Sequence, residues 1–144
     1  MNEAINKKVL AKVQTWPDWQ KEIVSKHPYL FRHIIEESKH GHYGIAWGIE
    51  HGSGWAKLLD ETLTKIEQIK PDAKIHQIKE KFGGLRIYLA RTSNELESII
   101  EASADIANHT CEGCSAEGKI RHNMWIRVLC DICQEQYTSS LVGK

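Results

Sequence analysis

The chain has 144 residues, with 19 Lys plus Arg against 19 Asp plus Glu and 41% hydrophobic residues. That length is one ordinary domain with room for a small appended module. It excludes two full domains, and it buries enough surface to fold without help from metal or disulfides. The balanced charge excludes a charged disordered tail and a polycation built for indiscriminate nucleic-acid binding.

The first residues carry Lys7, Lys8 and Lys12 but no apolar stretch of signal-peptide length. Nothing later approaches the ~18 apolar residues of a membrane span, so a soluble cytoplasmic protein with no membrane partner is expected. Ile5, Val9, Leu10 and Val13 recur at helical spacing, and Thr15-Trp16-Pro17-Asp18 reads as a stop followed by a new helix start. This second helix should end before Pro28. A third, short helix is expected from Tyr29, with Leu30, Phe31, Ile34 and Ile35 near one face. Residues 41–54 contain five glycines and read as loop, with one short strand at Ile45–Ile49.

The clearest amphipathic run opens at Trp55, where Leu58, Leu59, Leu63, Ile66 and Ile69 keep to one stripe up to Pro71. A hairpin follows, Ile75–Phe82 and Leu85–Leu89, with Gly83 and Gly84 as a two-residue turn. That turn would set Phe82 opposite Leu85 and Ile78 opposite Leu89 on one face. On the other it would set Lys81 opposite Arg86 and Lys79 opposite Tyr88. Thr92, three residues before Glu95, offers a capping box for a helix through Leu96, Ile99, Ile100, Ser103 and Ile106.

All four cysteines lie in the remaining third. Cys111 and Cys114 are separated by two residues, as are Cys130 and Cys133, with fifteen residues between the pairs. Two intervening residues let both sulfurs of a pair reach one ion, and two pairs complete a tetrahedron of thiolates, the pattern of one structural Zn2+. Four protein ligands leave no vertex for a reacting water. Two disulfides or reduced core cysteines are the competing readings; a cytoplasmic setting opposes the first and the paired spacing opposes the second. Iron suits the same cage. Gly118–Arg121 and Trp125–Leu129 should pair as a hairpin, with Cys133 in the first turn of a final helix, giving a treble-clef-like or ribbon-like module. The expected architecture is therefore α+β. A body over 1–108 would hold helices within 1–70, the hairpin at 74–90 and a helix at 93–108, and the zinc module over 109–144 would pack on it.

Local charge is uneven. Residues 70–91 carry six cations, Lys70, Lys74, Lys79, Lys81, Arg86 and Arg91, against Asp72 and Glu80. Residues 92–108 carry only acids, Glu95, Glu97, Glu101 and Asp105. Like charges opposed across a strand pair cost up to about 1 kcal/mol, so an acidic neighbour is expected. Either the acidic helix packs beside its own hairpin, or Lys79, Lys81, Arg86 and Tyr88 form a site for a partner or an anion. The finger itself, with Lys119, Arg121, Arg127 and Lys144 against Glu112, Glu117, Asp131 and Glu135, lacks the basic surface that phosphate binding needs.

Catalytic signals are weaker. His40, His42 and His51 stand near Glu50 without H-E-x-x-H spacing, and they read either as exposed loop histidines or as a second metal or proton-transfer site. His122 and Asn123 are similar in placement to catalytic residues of metal-supported HNH nucleases. Neither the upstream H-x-E nor the open ligand position of a zinc deaminase is found. Trp16, Trp19, Trp47 and Trp55 read as core, with a partner-binding aromatic patch as the alternative.

Three pieces occur in order: Gly52-Ser53-Gly54-Trp55, Lys79-Glu80-Lys81-Phe82-Gly83-Gly84-Leu85-Arg86-Ile87-Tyr88, and Cys111-Glu112-x-Cys114 through Trp125-Ile126-x-x-Leu129-Cys130-x-x-Cys133. Together they resemble a group of small uncharacterised proteins of bacteria and their phages or prophages, over about residues 45–135. Ser53 departs from the acidic residue expected in the first piece, which counts against cation binding at that turn. The resemblance implies a zinc-binding accessory protein from a mobile element. The expected function is a non-enzymatic binding protein for a protein partner, as an inhibitor or immunity or anti-defence factor. Nucleic-acid binding through the basic hairpin and an HNH-like nuclease are the alternatives.

Overall fold

The computed structural model describes residues 2–38 and 41–142. The fold is α+β. Helices α1 (Glu3–Lys12) and α2 (Asp18–Lys26) lead into a 3-10 helix, Pro28–Ile35. Short strands β1 (Glu37–Ser38) and β2 (Gly41–His42) then pair antiparallel. Two 3-10 turns, Gly44–Trp47 and Ser53–Trp55, precede α3 (Ala56–Ile69). Next come strands β3 (Ile75–Lys81) and β4 (Gly84–Leu89) and helix α4 (Asn94–Ala107). The last third holds β5 (Lys119–Arg121), β6 (Arg127–Leu129) and α5 (Asp131–Val142). Among the described residues, no helix is long and apolar enough to cross a membrane.

The helical stripe expected in α3 is buried at Leu59, Leu63 and Ile66, while Ile69 at its end is exposed. The core joins these to Val9 and Val13 of α1, Ile23 and Val24 of α2, Ile78, Leu85 and Ile87 of the hairpin, and Leu96 and Ile100 of α4. Several local expectations need correction. The third helix is 3-10, and Leu30 to Ile34 are all buried, so it is enclosed on every side instead of lying on one amphipathic face. Ile45–Ile49 is no strand: Gly44–Trp47 winds into a 3-10 turn, and strand-like pairing begins at Glu50, which bridges Lys79. Buried Gln20 holds this loop by bonding both the N–H and the C=O of Ile49. The cap of α4 is Ser93, whose hydroxyl accepts from the Leu96 N–H; Thr92 donates instead to Glu97.

The hairpin turn also lies one residue earlier than expected. Lys81 pairs with Gly84, Lys79 with Arg86, Ile78 with Ile87 and Glu80 with Leu85, leaving Phe82 and Gly83 in the turn. Both turn residues have positive φ, 53° and 83°, the requirement of a type I′ turn. Gly84 is ordinary strand. Because every pair slips by two in register sum, the inward face is preserved and Ile78, Leu85 and Ile87 stay buried.

A buried histidine fastens α2 to α3. Both ring nitrogens of His27 face carboxylates, Nε2 towards Asp60 at 2.6 Å and Nδ1 towards Glu67. Burial alone would raise the Asp60 carboxyl, but its bonds from His27 and Lys26 hold it below its ordinary value of 3.8. The folded-state value is depressed, so this contribution is present above the unfolded value and lost as pH falls through the folded one. His27→Ala is expected to cost about 2 kcal/mol in chemical denaturation. Asp60→Asn is expected to flatten the loss of stability below about pH 4. An unchanged acid limb would refute the assignment.

Candidate metal centre

Local chain geometry brings the four cysteines together from two directions. The segment after α4 folds into a knuckle: the Cys111 N–H donates to Ala116 O at 2.7 Å and the Ser115 N–H to Cys111 O at 3.0 Å. Ser115 takes φ 75° there, and its hydroxyl donates to Gly54 O at 2.6 Å, offsetting the strained backbone. The β5–β6 hairpin, paired Lys119 with Leu129 and Arg121 with Arg127, then delivers Cys130 to the start of α5. Cys133 stands in that helix's first turn, its N–H facing Cys130 Sγ at 3.4 Å.

The four sulfurs lie within 4.8 Å of one another, and Cys114 and Cys130 are 3.6 Å apart. A tetrahedral ion with about 2.3 Å metal–sulfur bonds sets its sulfurs about 3.8 Å apart. The cysteines are free thiols, and their spacing can hold a metal ion. Electrostatics agrees. Burial together with the three neighbouring thiols pushes Cys133 up to about 12. Burial would raise Cys111 too, but backbone N–H groups draw it down to about 7. Four clustered thiolates therefore need a cation in their midst to be ionised together.

The knuckle is clamped to the body by backbone. The Gly54 N–H donates to Glu112 O at 2.8 Å, and the Gly52 N–H donates to Glu112 Oε2 at 2.8 Å. The Trp55 indole donates to Thr110 O at 2.8 Å. Glu112 is buried, with Arg127 Nε 3.7 Å from its other oxygen, and burial raises its carboxyl above the ordinary range. The two glycines of the G-x-G-W piece are needed for contact. A Cβ on Gly54 would stand 2.2 Å from Cys111 O, and one on Gly52 would stand 2.5 Å from Glu112 O. Ser53, between them, is exposed.

A second clamp joins the central hairpin to the module. The Glu80 carboxylate accepts from the Gly83 N–H at 2.8 Å and from the Trp125 indole at 3.2 Å. Gly83 lies against Ile120 and Ile126. Sequence reasoning missed Glu80 and Glu112 as joints. The available signal was their place inside the motif pieces, between paired cysteines in one case and three residues before the turn glycine in the other.

Beside this second clamp the surface turns apolar. Phe82, Met124 and Trp125 are 70%, 101% and 67% exposed and border one hollow of about 310 Å³ with Ile126 and Lys81. Lys79, Lys81, Arg86 and Tyr88 all occupy the hairpin's outward face, with Lys79 opposite Arg86 and Gln77, not Lys79, opposite Tyr88. Helix α4 packs beside β4. Its Glu101 and Asp105 share a cleft of about 380 Å³ with Lys81 and Arg86. No ion pair closes that cleft among the described residues.

Among the described residues, His42 and His51 belong to no cluster able to hold a metal ion. His40 lies outside the described residues, His42 is exposed on β2, and His51 is buried between the rings of Trp19 and Trp55. His122 is exposed, and both heteroatoms of the Asn123 amide are bonded to Gln134. Of the tryptophans expected in the core, Trp55 is fully buried and Trp47 is 77% exposed. No family model, curated protein or solved structure matches the chain.

Proposed function

We propose that this chain is a non-enzymatic, zinc-stabilised binding protein of the reducing cytoplasm that grips an acidic protein partner. The contact surface is the tip where the central hairpin meets the metal module. The observation that carries this reading is the exposed cluster of Phe82, Met124 and Trp125, flanked by Lys81 and Arg86. Aromatic, Met and Arg side chains are the residues that dominate protein interfaces, and contiguous exposed apolar surface marks interaction sites. Phe82 adds a second argument. A non-glycine residue in the left-handed region costs about 1–2 kcal/mol, and Phe82 carries this strain while presenting its ring to solvent. Strain kept at an exposed tip is a mark of function. The resemblance to phage and prophage proteins supports an inhibitor or immunity role, and zinc is the ion that four thiolates from paired two-residue spacings select.

Phe82→Asn should then stabilise the protein by about 1 kcal/mol, since Asn tolerates the left-handed turn. The same substitution, and Trp125→Ala, should abolish capture of the partner from host lysate while one metal ion per chain is retained. Capture of the same protein by wild type and both variants alike would overturn the reading.

One observation favours nucleic acid instead: exposed rings beside Lys81 and Arg86 are also the parts of a single-strand stacking platform. Affinity for a single-stranded oligonucleotide that falls steeply with salt would identify that case. Cleavage of DNA with magnesium that disappears in His122→Ala would identify the nuclease.

A further inference from the structure

Away from the metal centre, a cavity of about 430 Å³ opens between the 3-10 helix, the turn before β3 and the end of β4. Its volume exceeds that of a single water, about 30 Å³, more than tenfold, and lies within the range of small-molecule sites. Four fixed cations line it, Arg32, Lys70, Lys74 and Arg91, beside one carboxylate, Asp72. Two of these charges are locally answered. Lys70 pairs with Asp72 at 3.2 Å, and Lys74 pairs with Glu36 at 3.0 Å.

The other two have no such pairing among the described residues. Arg32 is only 6% exposed, yet among the described residues its guanidinium donates to main-chain carbonyls alone, those of Tyr29, Asp72 and Ala73. Among the described residues no carboxylate lies within 4.0 Å of Arg32 or Arg91. Glu36 and Asp72 feel Arg32 only at longer range. The guanidinium also stacks on the Tyr29 ring, 3.8 Å from its centroid, so its charge is met by that ring and by carbonyl dipoles, with no counter-ion among the described residues, and an anion in the cavity would supply one.

One side chain of the cavity wall is itself buried and tightly held. His33 is 3% exposed and its Nε2 has no hydrogen-bond partner; Nδ1 lies 3.1 Å from Glu36 without a bonding angle. The ring is held in place by Tyr43, with centroids 3.8 Å apart, and by His76 at 4.8 Å. A buried, rigidly packed nitrogen left unbonded costs about 1–3 kcal/mol.

We propose that this cavity binds a small phosphate-bearing anion, with Arg32 and Arg91 supplying charge and the His33 and His76 rings forming part of its wall. Guanidinium and ammonium groups lining one cavity suit the several oxygens of a phosphate better than the two of a carboxylate. The proposal is independent of the partner surface, which uses none of these residues.

The test is NMR of the full metal-loaded chain titrated with inorganic phosphate, and separately with adenosine 5′-monophosphate, at constant ionic strength held by chloride. Saturable shifts of the His33 and His76 ring signals are expected. Phosphate alone saturating them identifies the free ion as ligand, and tighter binding of the nucleotide identifies a phosphomonoester. Arg91 is exposed, so Arg91→Gln should fold normally and bind about tenfold more weakly, the worth of one charge-assisted contact. Absence of saturable shifts with both probes, equal shifts with chloride, or undiminished binding by Arg91→Gln would each overturn the assignment.

Discussion

Serine at Cys111 is expected to reduce metal content, read by inductively coupled plasma mass spectrometry, from one ion per chain to a small fraction of that. The same change should open residues 109–142 to hydrogen exchange while α3 and β3 stay protected. The asymmetry follows from where stability resides. The core runs from Val9 to Ala107, and of the residues after 108 it takes in Val128, so most of it forms without the cysteine segment. Residues after 108 bury few large apolar side chains, Val128 and Leu129 chief among them. A bound metal ion would then be the main free energy ordering this segment, since structural sites of this type are worth about 10–16 kcal/mol in isolated peptides. Cys111 is the most sensitive ligand because it is fully buried and its carbonyl lies against Gly54. A chelator should reproduce the effect in wild type. A Cys111→Ser protein that keeps a tightly bound ion would show that the four sulfurs do not act as one cage.

A single methyl group at Gly54 is expected to be nearly as damaging, though it removes no ligand. Its Cβ would stand 2.2 Å from Cys111 O and 2.5 Å from Glu112 O, and both atoms belong to backbone held by the knuckle. Neither side can yield cheaply, so Gly54→Ala should cost about 3 kcal/mol or more, the upper range for overpacking a well-packed site. The Trp55 indole would lose its bond to Thr110 O as the module lifts, so tryptophan fluorescence should shift. Gly84→Ala is the control: that glycine is in a strand, and its Cβ would meet nothing closer than 3.4 Å. Equal melting temperatures for the two alanine variants would sink the claim that the knuckle and the G-x-G-W turn are locked backbone to backbone.

These two results bear on why three short pieces of sequence occur together. The glycine turn grips the knuckle through Glu112, and the hairpin grips the module through Glu80 and Trp125. All three are parts of one joint. The joint's outer edge is where Phe82, Met124 and Trp125 meet solvent, so the proposed partner contact would be mechanically linked to the proposed metal site.

Much of this was legible from spacing. The two-residue gaps between cysteines, the 3.6-residue stripe of α3 and the alternation of Ile78, Leu85 and Ile87 each encode contacts between near neighbours, and local backbone geometry converts them directly into structure. Gly-Gly is the better primed turn locally, yet in the fold the turn is Phe82-Gly83, with Phe82 in the strained position and Gly83 facing Ile120 and Ile126 of the distant β5–β6 segment. The same limit hid the Glu112–Gly52 clamp, 60 residues apart in sequence, and the Arg32 bond to Ala73, 41 apart. Periodicity determines which side of an element faces inward. Which distant element it meets there, and which buried charge or imidazole is left without a partner, is decided only when the whole chain competes for the same interior, because each such contact depends on every other being made.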